Sequence, residues 1–144
     1  MWIIRKKFKF EMAHVLDSSY STECQNIHGH SYYLEIFIKR DCLNDDGMVI
    51  DFKELKELIN ELIIKKFDHK LVLNEKNPLF SVFDSLVMNG VVFVNYNPTA
   101  ENMVKDFHEK IKDKLIYFLP GLYGIKVRLH ETDTGYAEYS DPSM

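Results

Sequence analysis

The spacing of apolar residues runs at a period of two, changes to about 3.6 and returns to two, and this switch constrains the fold more than any other feature of the chain. From Phe8, the residues Phe8, Phe10, Met12 and His14 share one face while Lys7, Lys9 and Glu11 take the other, the alternation of a half-buried strand. His30 to Lys39 repeats it, with Tyr32, Leu34, Ile36 and Ile38 on one face and Tyr33, Glu35 and Phe37 on the other. After Gly47 the spacing becomes helical. Phe52, Leu55, Leu58, Ile59, Leu62 and Ile63 fall on one stripe, with Asp51 as N-cap and Glu54 three residues on. A second amphipathic run after Pro98 carries Met103, Val104, Phe107, Ile111 and Leu115, capped by Thr99 and stopped before Pro120-Gly121. Strand period returns with Ile125, Val127, Leu129 and Glu131 on one face, then a turn around Asp133 to Gly135 and a short run Tyr136 to Tyr139. The order is β, β, α, α, β, β, an α+β arrangement. Val91 to Tyr96, apolar and β-branched, is a candidate edge strand whose partner the sequence does not name.

A chain of 144 residues that is 46% hydrophobic suits one globular domain, residues 1–144, with a substantial core. The net charge of -4 carries neither the basic excess of a nucleic-acid binder nor the acidic excess of a disordered tail. Apolar stretches such as Leu86 to Val94 are broken by Asn89 and Gly90, far short of the roughly 20 residues of a membrane span. Met1 to Phe10 alternates basic and apolar residues and lacks a secretory signal, so the expected location is cytoplasmic. In that setting the two cysteines, Cys24 and Cys42, are expected as free thiols.

His28-Gly29-His30 enters the second strand, where residues two apart point to the same side, so both imidazoles project together. Histidine nitrogens bind zinc at about 2.0–2.1 Å, and a catalytic zinc typically takes three protein ligands and keeps a fourth position open. His14, at the end of the first strand, is the candidate third ligand, because consecutive strands commonly lie side by side. A lone histidine on a strand is more often a satisfied polar residue than a ligand. The heptapeptide Cys24-Gln25-Asn26-Ile27-His28-Gly29-His30 strengthens the metal reading, since a nearby cation lowers a thiol pKa and favours thiolate. Cys24 is then either a fourth ligand of a closed structural site or a base beside an open one, and spacing does not choose.

Asp68-His69 follows the first helix. An aspartate can orient an imidazole that passes protons, though the pair can also simply end the helix after Lys65-Lys66-Phe67. Glu131 shares a face with apolar Ile125, Val127 and Leu129 and therefore needs a donor. The guanidine-like N–H groups of a flat heterocycle would satisfy it in bidentate fashion, and a salt bridge at a strand end is the plainer alternative. Glu101 sits in a first helical turn, where the macrodipole alone would justify it. His108, His130 and Cys42 read as structural.

Phe10-Glu11-Met12-Ala13-His14, Cys24-x-x-x-His28-Gly29-His30, Val49-Ile50-Asp51-Phe52, Asp68-His69 with Leu73-Asn74, Pro98-Thr99-Ala100-Glu101-Asn102 and Glu131-Thr132 occur in one order. Together they resemble the 6-pyruvoyltetrahydropterin synthase and 6-carboxytetrahydropterin synthase family nearly end to end. The resemblance implies the tunnelling fold, a four-stranded antiparallel sheet with two helices on one face (ββααββ), in subunits that join edge to edge as a homohexamer with pockets shared between them. It implies zinc on His14, His28 and His30, Cys24 as the proton-abstracting base, Asp68 and His69 as its relay, Glu131 gripping the pterin, and Thr99 and Glu101 lining the same pocket. The implied substrate is 7,8-dihydroneopterin triphosphate.

Within the family the cysteine-to-histidine gap separates branches, and the three residues Gln25, Asn26 and Ile27 match the carboxy branch, whereas animal-type pyruvoyl enzymes have a wider gap. That branch makes 6-carboxy-5,6,7,8-tetrahydropterin and acetaldehyde on the way to the 7-deazaguanine base of queuosine. The pyruvoyl activity is the alternative, and a non-catalytic pterin- or zinc-binding member is a third reading. Gln25 stands where a side-chain-cleaving branch carries glutamate, which argues against that branch. Two features depart from the compact carboxy enzymes: a longer stretch from Asn77 to Val94, and Ser31-Tyr32-Tyr33 after the histidines.

Overall fold

A computed structural model describes residues 1–17, 21–86 and 89–144. Strand β1 (Trp2–His14) pairs antiparallel with β2 (His28–Arg40) along its whole length, from Trp2 opposite Arg40 to His14 opposite His28. The strand period therefore begins well before Phe8. β5 (Leu122–His130) pairs antiparallel with β2, and β6 (Tyr136–Ser140) with β5, which gives the expected antiparallel frame β1-β2-β5-β6.

The first helical run is α1 (Phe52–Ile59), a π-helical turn Asn60–Ile64 and a last turn α2 (Lys65–Phe67). Asp51 caps it by accepting a hydrogen bond from the Lys53 N–H at 2.7 Å. Ile59, Ile63 and Phe67 are all buried at a spacing of four. That spacing drifts around a 3.6-residue helix, and the wider i→i+5 turn, closed by Lys65 N–H on Asn60 O, takes up the surplus. The second long helix, α4 (Ala100–Phe118), is capped by the Thr99 hydroxyl and buries Met103, Val104, Phe107, His108, Ile111 and Leu115. Both long helices cover one face of the sheet. Phe10, Tyr32, Leu34, Ile36, Ile38, Ile125, Val127 and Leu129 meet them in one core. Each fully buried Leu, Ile or Phe there contributes about 1.5–3 kcal/mol.

The sheet has six strands rather than the four expected, and it is mixed. Its order is β4-β3-β1-β2-β5-β6, where β3 (Lys70–Asn74) runs parallel to the end of β1 and β4 (Val91–Val94) parallel to β3. A third, short helix, α3 (Phe80–Ser85), lies in the connection between β3 and β4. Parallel neighbours require such a crossover. Their strands read as short apolar runs instead of alternations, which is why period alone misses β3. The candidate edge strand at Val91 to Tyr96 is β4, and its partner is β3.

The other face of the sheet is charged. Glu35 is nearly buried there by Arg5 at 2.8 Å, His130 at 3.0 Å and Arg128 at 3.5 Å. His108 is buried against β5, its Nε2 3.3 Å from Ile125 O, and Asp141 binds the Ile125 N–H and the Lys112 ammonium beside it. Cys42 is exposed. Among the described residues no helix is long and apolar enough to cross a membrane.

Candidate metal centre and active site

The β1–β2 register places His14 directly opposite His28 and Met12 opposite His30, all on the helix-covered face at one rim of the sheet. One ring nitrogen from each of His14, His28 and His30 lies within 4.8 Å of the other two. The closest pair is His14 Nε2 and His28 Nε2, at 3.1 Å. Glycine between the ligands serves the close strand approach, since a Cβ at Gly29 would meet Met12 O at 3.2 Å.

The donor set fits a metal ion. Pro98 O accepts a hydrogen bond from His14 Nδ1 and Asn26 O accepts one from His28 Nδ1, each at 2.8 Å. A carbonyl can only accept, so both Nδ1 atoms carry hydrogens and both Nε2 atoms of the neutral rings present lone pairs. Among the described residues, His30 Nε2 is buried without a hydrogen-bond partner. Burial also holds the His14 and His30 imidazoles below the ordinary histidine pKa, the neutral form that a metal takes. The Cys24 thiol does not join this cluster. It sits in a single 3-10 turn, Thr22–Gln25, tied to the end of β1 by Leu16 N–H on Cys24 O at 3.1 Å.

Glu131 follows β5 at a turn closed by its N–H on Gly135 O at 3.2 Å. Its Oε1 lies 3.5 Å from His14 Nε2 and 3.9 Å from His30 Nε2. Next to it is a cavity of about 310 Å³ lined by Leu16, Thr99, Glu101, Glu131, Gly135 and Tyr136 among others. Three sequence-selected residues, Thr99, Glu101 and Glu131, therefore share one cavity at the histidine rim.

Asp68 and His69 also form a unit. His69 Nδ1 is 2.9 Å from Asp68 Oδ1, which accepts the Glu11 N–H at 2.9 Å as well. His69 takes a left-handed backbone, φ 58°, and donates its own N–H to Glu11 O at 2.6 Å. Its ring is exposed and lines a second cavity of about 520 Å³ with Glu11, Gly29, His30 and Ser31. Among the described residues no hydrogen bond joins Cys24 to Asp68 or His69. The structure thus gathers the histidines with Glu131, and Asp68 with His69. Sequence reasoning missed the carbonyls of Pro98 and Asn26, which have no side-chain signature. It also missed Tyr32, the next residue on the face of His28 and His30, whose hydroxyl lies 3.4 Å from His14 Nδ1.

Solved structures share this architecture. 6-Pyruvoyl tetrahydropterin synthase from Plasmodium vivax aligns with a TM-score of 0.75 at 18% identity over 98% of this chain and 99% of that one. An uncharacterised protein from Wolinella succinogenes aligns at 0.82, with 19% identity over 97% and 98%. The fold defines an α+β protein with the architecture of these structures. The 6-carboxy-5,6,7,8-tetrahydropterin synthase of Haemophilus influenzae is 33% identical over 98% of this chain and 100% of its own length. That of Aquifex aeolicus is 32% identical over 97% and 98%. The model of the 6-pyruvoyl tetrahydropterin synthase family matches residues 3–142, and the chain belongs to that family.

Proposed function

We propose that the chain is a zinc-dependent lyase of the 6-carboxytetrahydropterin synthase type. It takes 7,8-dihydroneopterin triphosphate and water to 6-carboxy-5,6,7,8-tetrahydropterin, acetaldehyde and triphosphate. The observation that carries this reading is the trio His14, His28 and His30, whose ring nitrogens converge beside the Glu131 carboxylate. The curated carboxy relatives and the three-residue gap from Cys24 to His28 support the carboxy branch over the pyruvoyl one.

An all-imidazole set suits zinc. Bound there, zinc supplies Lewis-acid polarisation of the substrate's side-chain hydroxyls. Glu131 holds the flat pterin ring by accepting its paired N–H groups, and Thr99 and Glu101 border the same space. Cys24 takes a proton from a side-chain carbon, and His69, oriented by Asp68, returns or removes protons on the other side. The homohexamer implied by the family resemblance would complete the site with a second subunit.

The test is incubation of the zinc-loaded protein with 7,8-dihydroneopterin triphosphate, with mass spectrometry of the pterins and an acetaldehyde assay. Carboxytetrahydropterin with acetaldehyde is the expected result. Pyruvoyltetrahydropterin would move the assignment to the pyruvoyl branch, and no turnover despite bound zinc would favour a non-catalytic member.

A further inference from the structure

His14 is the one buried member of the histidine trio, and its Nδ1–H is held by Pro98 O at 2.8 Å. What leaves that carbonyl free for a histidine is local. In a helix begun one residue earlier, Pro98 O would accept the Asn102 N–H as its i→i−4 partner. The Thr99 hydroxyl takes that N–H instead, at 3.3 Å, as N-cap of α4. Pro98 sits at the centre of a tight turn closed by Thr99 N–H on Asn97 O at 2.7 Å, a position that the fixed φ of proline suits. Two asparagines anchor this turn. From the first turn of α4, Asn102 Nδ2 donates to Asn97 O at 2.9 Å. Asn97 Oδ1 in turn accepts the Asp17 N–H at 2.9 Å, on the chain just beyond His14. Asp17 is itself fixed, because its carboxylate accepts the side-chain amides of the buried Asn74 and Asn77. The Asn97-Pro98 unit therefore grips the exit of β1 twice, by its main chain at His14 and by its side chain at Asp17.

We infer that Asn97 is a positioning residue for the metal centre: its side-chain carbonyl, held on the Asp17 N–H, fixes the Pro98 carbonyl on His14 and so keeps His14 Nε2 aimed at the space it shares with His28 and His30. An imidazole that binds a metal through one nitrogen is oriented by the acceptor on the other, and such outer partners are worth about 10–100-fold in metal affinity. Asn97 acts one step further out, through the Pro98 carbonyl, which places its effect at the lower end. A merely structural asparagine stabilises its loop whether or not metal is bound. Asn97 differs because the turn that it anchors ends on a ligand.

The inference rests on the metal site of the proposed function, and the experiment separates the two. Wild type, Asn97→Ala, Asn97→Asp and Asn102→Ala are stripped of metal, and zinc affinity is measured by competition with a chromophoric chelator. Each metal-free protein is also melted, and proton–nitrogen NMR of its imidazoles reads which His14 nitrogen carries the hydrogen. Asn97→Ala is expected to weaken zinc binding roughly tenfold. Its metal-free melt stays near wild type, while the His14 Nδ1–H signal gives way to a mixture of ring tautomers. Asn97→Asp keeps an acceptor for the Asp17 N–H and recovers most of the lost affinity. Asn102→Ala loosens the same turn from the helix side and weakens zinc in the same direction. Wild-type zinc affinity in Asn97→Ala overturns the inference, even where the metal-free melt falls, since that is a structural role alone. So does a loss that Asn97→Asp fails to recover. Should Asn97→Ala not fold, Asn102→Ala decides: weakened zinc binding upholds the inference and unchanged affinity overturns it. A wild-type protein that binds no zinc overturns the metal reading itself, and the inference with it.

Discussion

His14 and His28 face each other through Nε2 atoms 3.1 Å apart, while the Nδ1 atom of each ring is bonded to a backbone carbonyl. With the ring hydrogens committed to Pro98 and Asn26, the contact brings two lone pairs together at a partly buried rim. Only a proton or a cation between them makes that arrangement favourable, and the partnerless His30 Nε2 beside them makes a metal the better answer.

The purified protein is therefore expected to bind one zinc per chain. At a free zinc concentration about a hundredfold above Kd, the metal stabilises the fold by about 2.7 kcal/mol, a rise in Tm of roughly 10 °C for a chain of this size. His28→Ala should abolish both the stoichiometric zinc and the rise. Metal analysis with a thermal melt, with and without chelator, checks this, and an unchanged metal content in His28→Ala would refute the ligand assignment.

Cys24 lies outside the gathered donors, so Cys24→Ala is expected to keep full zinc and the wild-type melt while turnover falls by about 10²–10⁴-fold, the range for losing a proton-transfer group. Coupled zinc analysis and single-turnover assays read both quantities on one preparation. Loss of zinc in that variant would make the thiol a structural ligand.

The antiparallel frame and both long helices were legible because each has a local period that its own residues display. The histidine trio was legible for the same reason: His28 and His30 are two apart on one strand, and His14 ends the strand beside it. β3 and β4 were not legible as a parallel extension, since Lys70–Asn74 and Val91–Val94 find their partners across a crossover and carry no alternation. The contact between Glu131 and the histidines escaped as well. Period placed Glu131 on an apolar face, but only the turn after His130 decides how far its carboxylate reaches.

Glu131 and His69 should separate in kinetics. Glu131→Gln removes the charged acceptor proposed for the pterin edge and is expected to raise KM at least about tenfold. His69→Asn removes the imidazole while tolerating the left-handed backbone at φ 58°, so it should lower kcat by about 10²-fold or more and leave KM near wild type. Steady-state kinetics of both variants decides, and a KM effect in His69→Asn with kcat intact would remove it from proton transfer.

His108 and Asp141 predict how the fold fails in acid. Burial holds the His108 imidazole below the ordinary histidine pKa, with the Asp141 charge opposing it only in part. The unfolded chain takes up a proton on this side chain near pH 6.5, and the folded chain does so only at lower pH. Between those points the unfolded state binds more protons, so stability falls as pH drops below about 6.5. For Asp141, burial alone would raise the carboxyl, but hydrogen bonds from Lys112 and the Ile125 N–H outweigh it and hold the group below its usual range. Its contribution is full above the unfolded value of about 3.9 and is lost as pH falls through the lower folded value. Acid destabilisation thus comes in two stages. Urea denaturation at a series of pH values should show His108→Gln flattening the stage that begins below about pH 6.5. Asp141→Asn should flatten the lower stage and cost about 1–3 kcal/mol at neutral pH. Acid release of the proposed zinc would be common to wild type and both variants, so the difference between curves isolates the His108–Asp141 pair. Superimposable slopes would show that the pair does not titrate with unfolding.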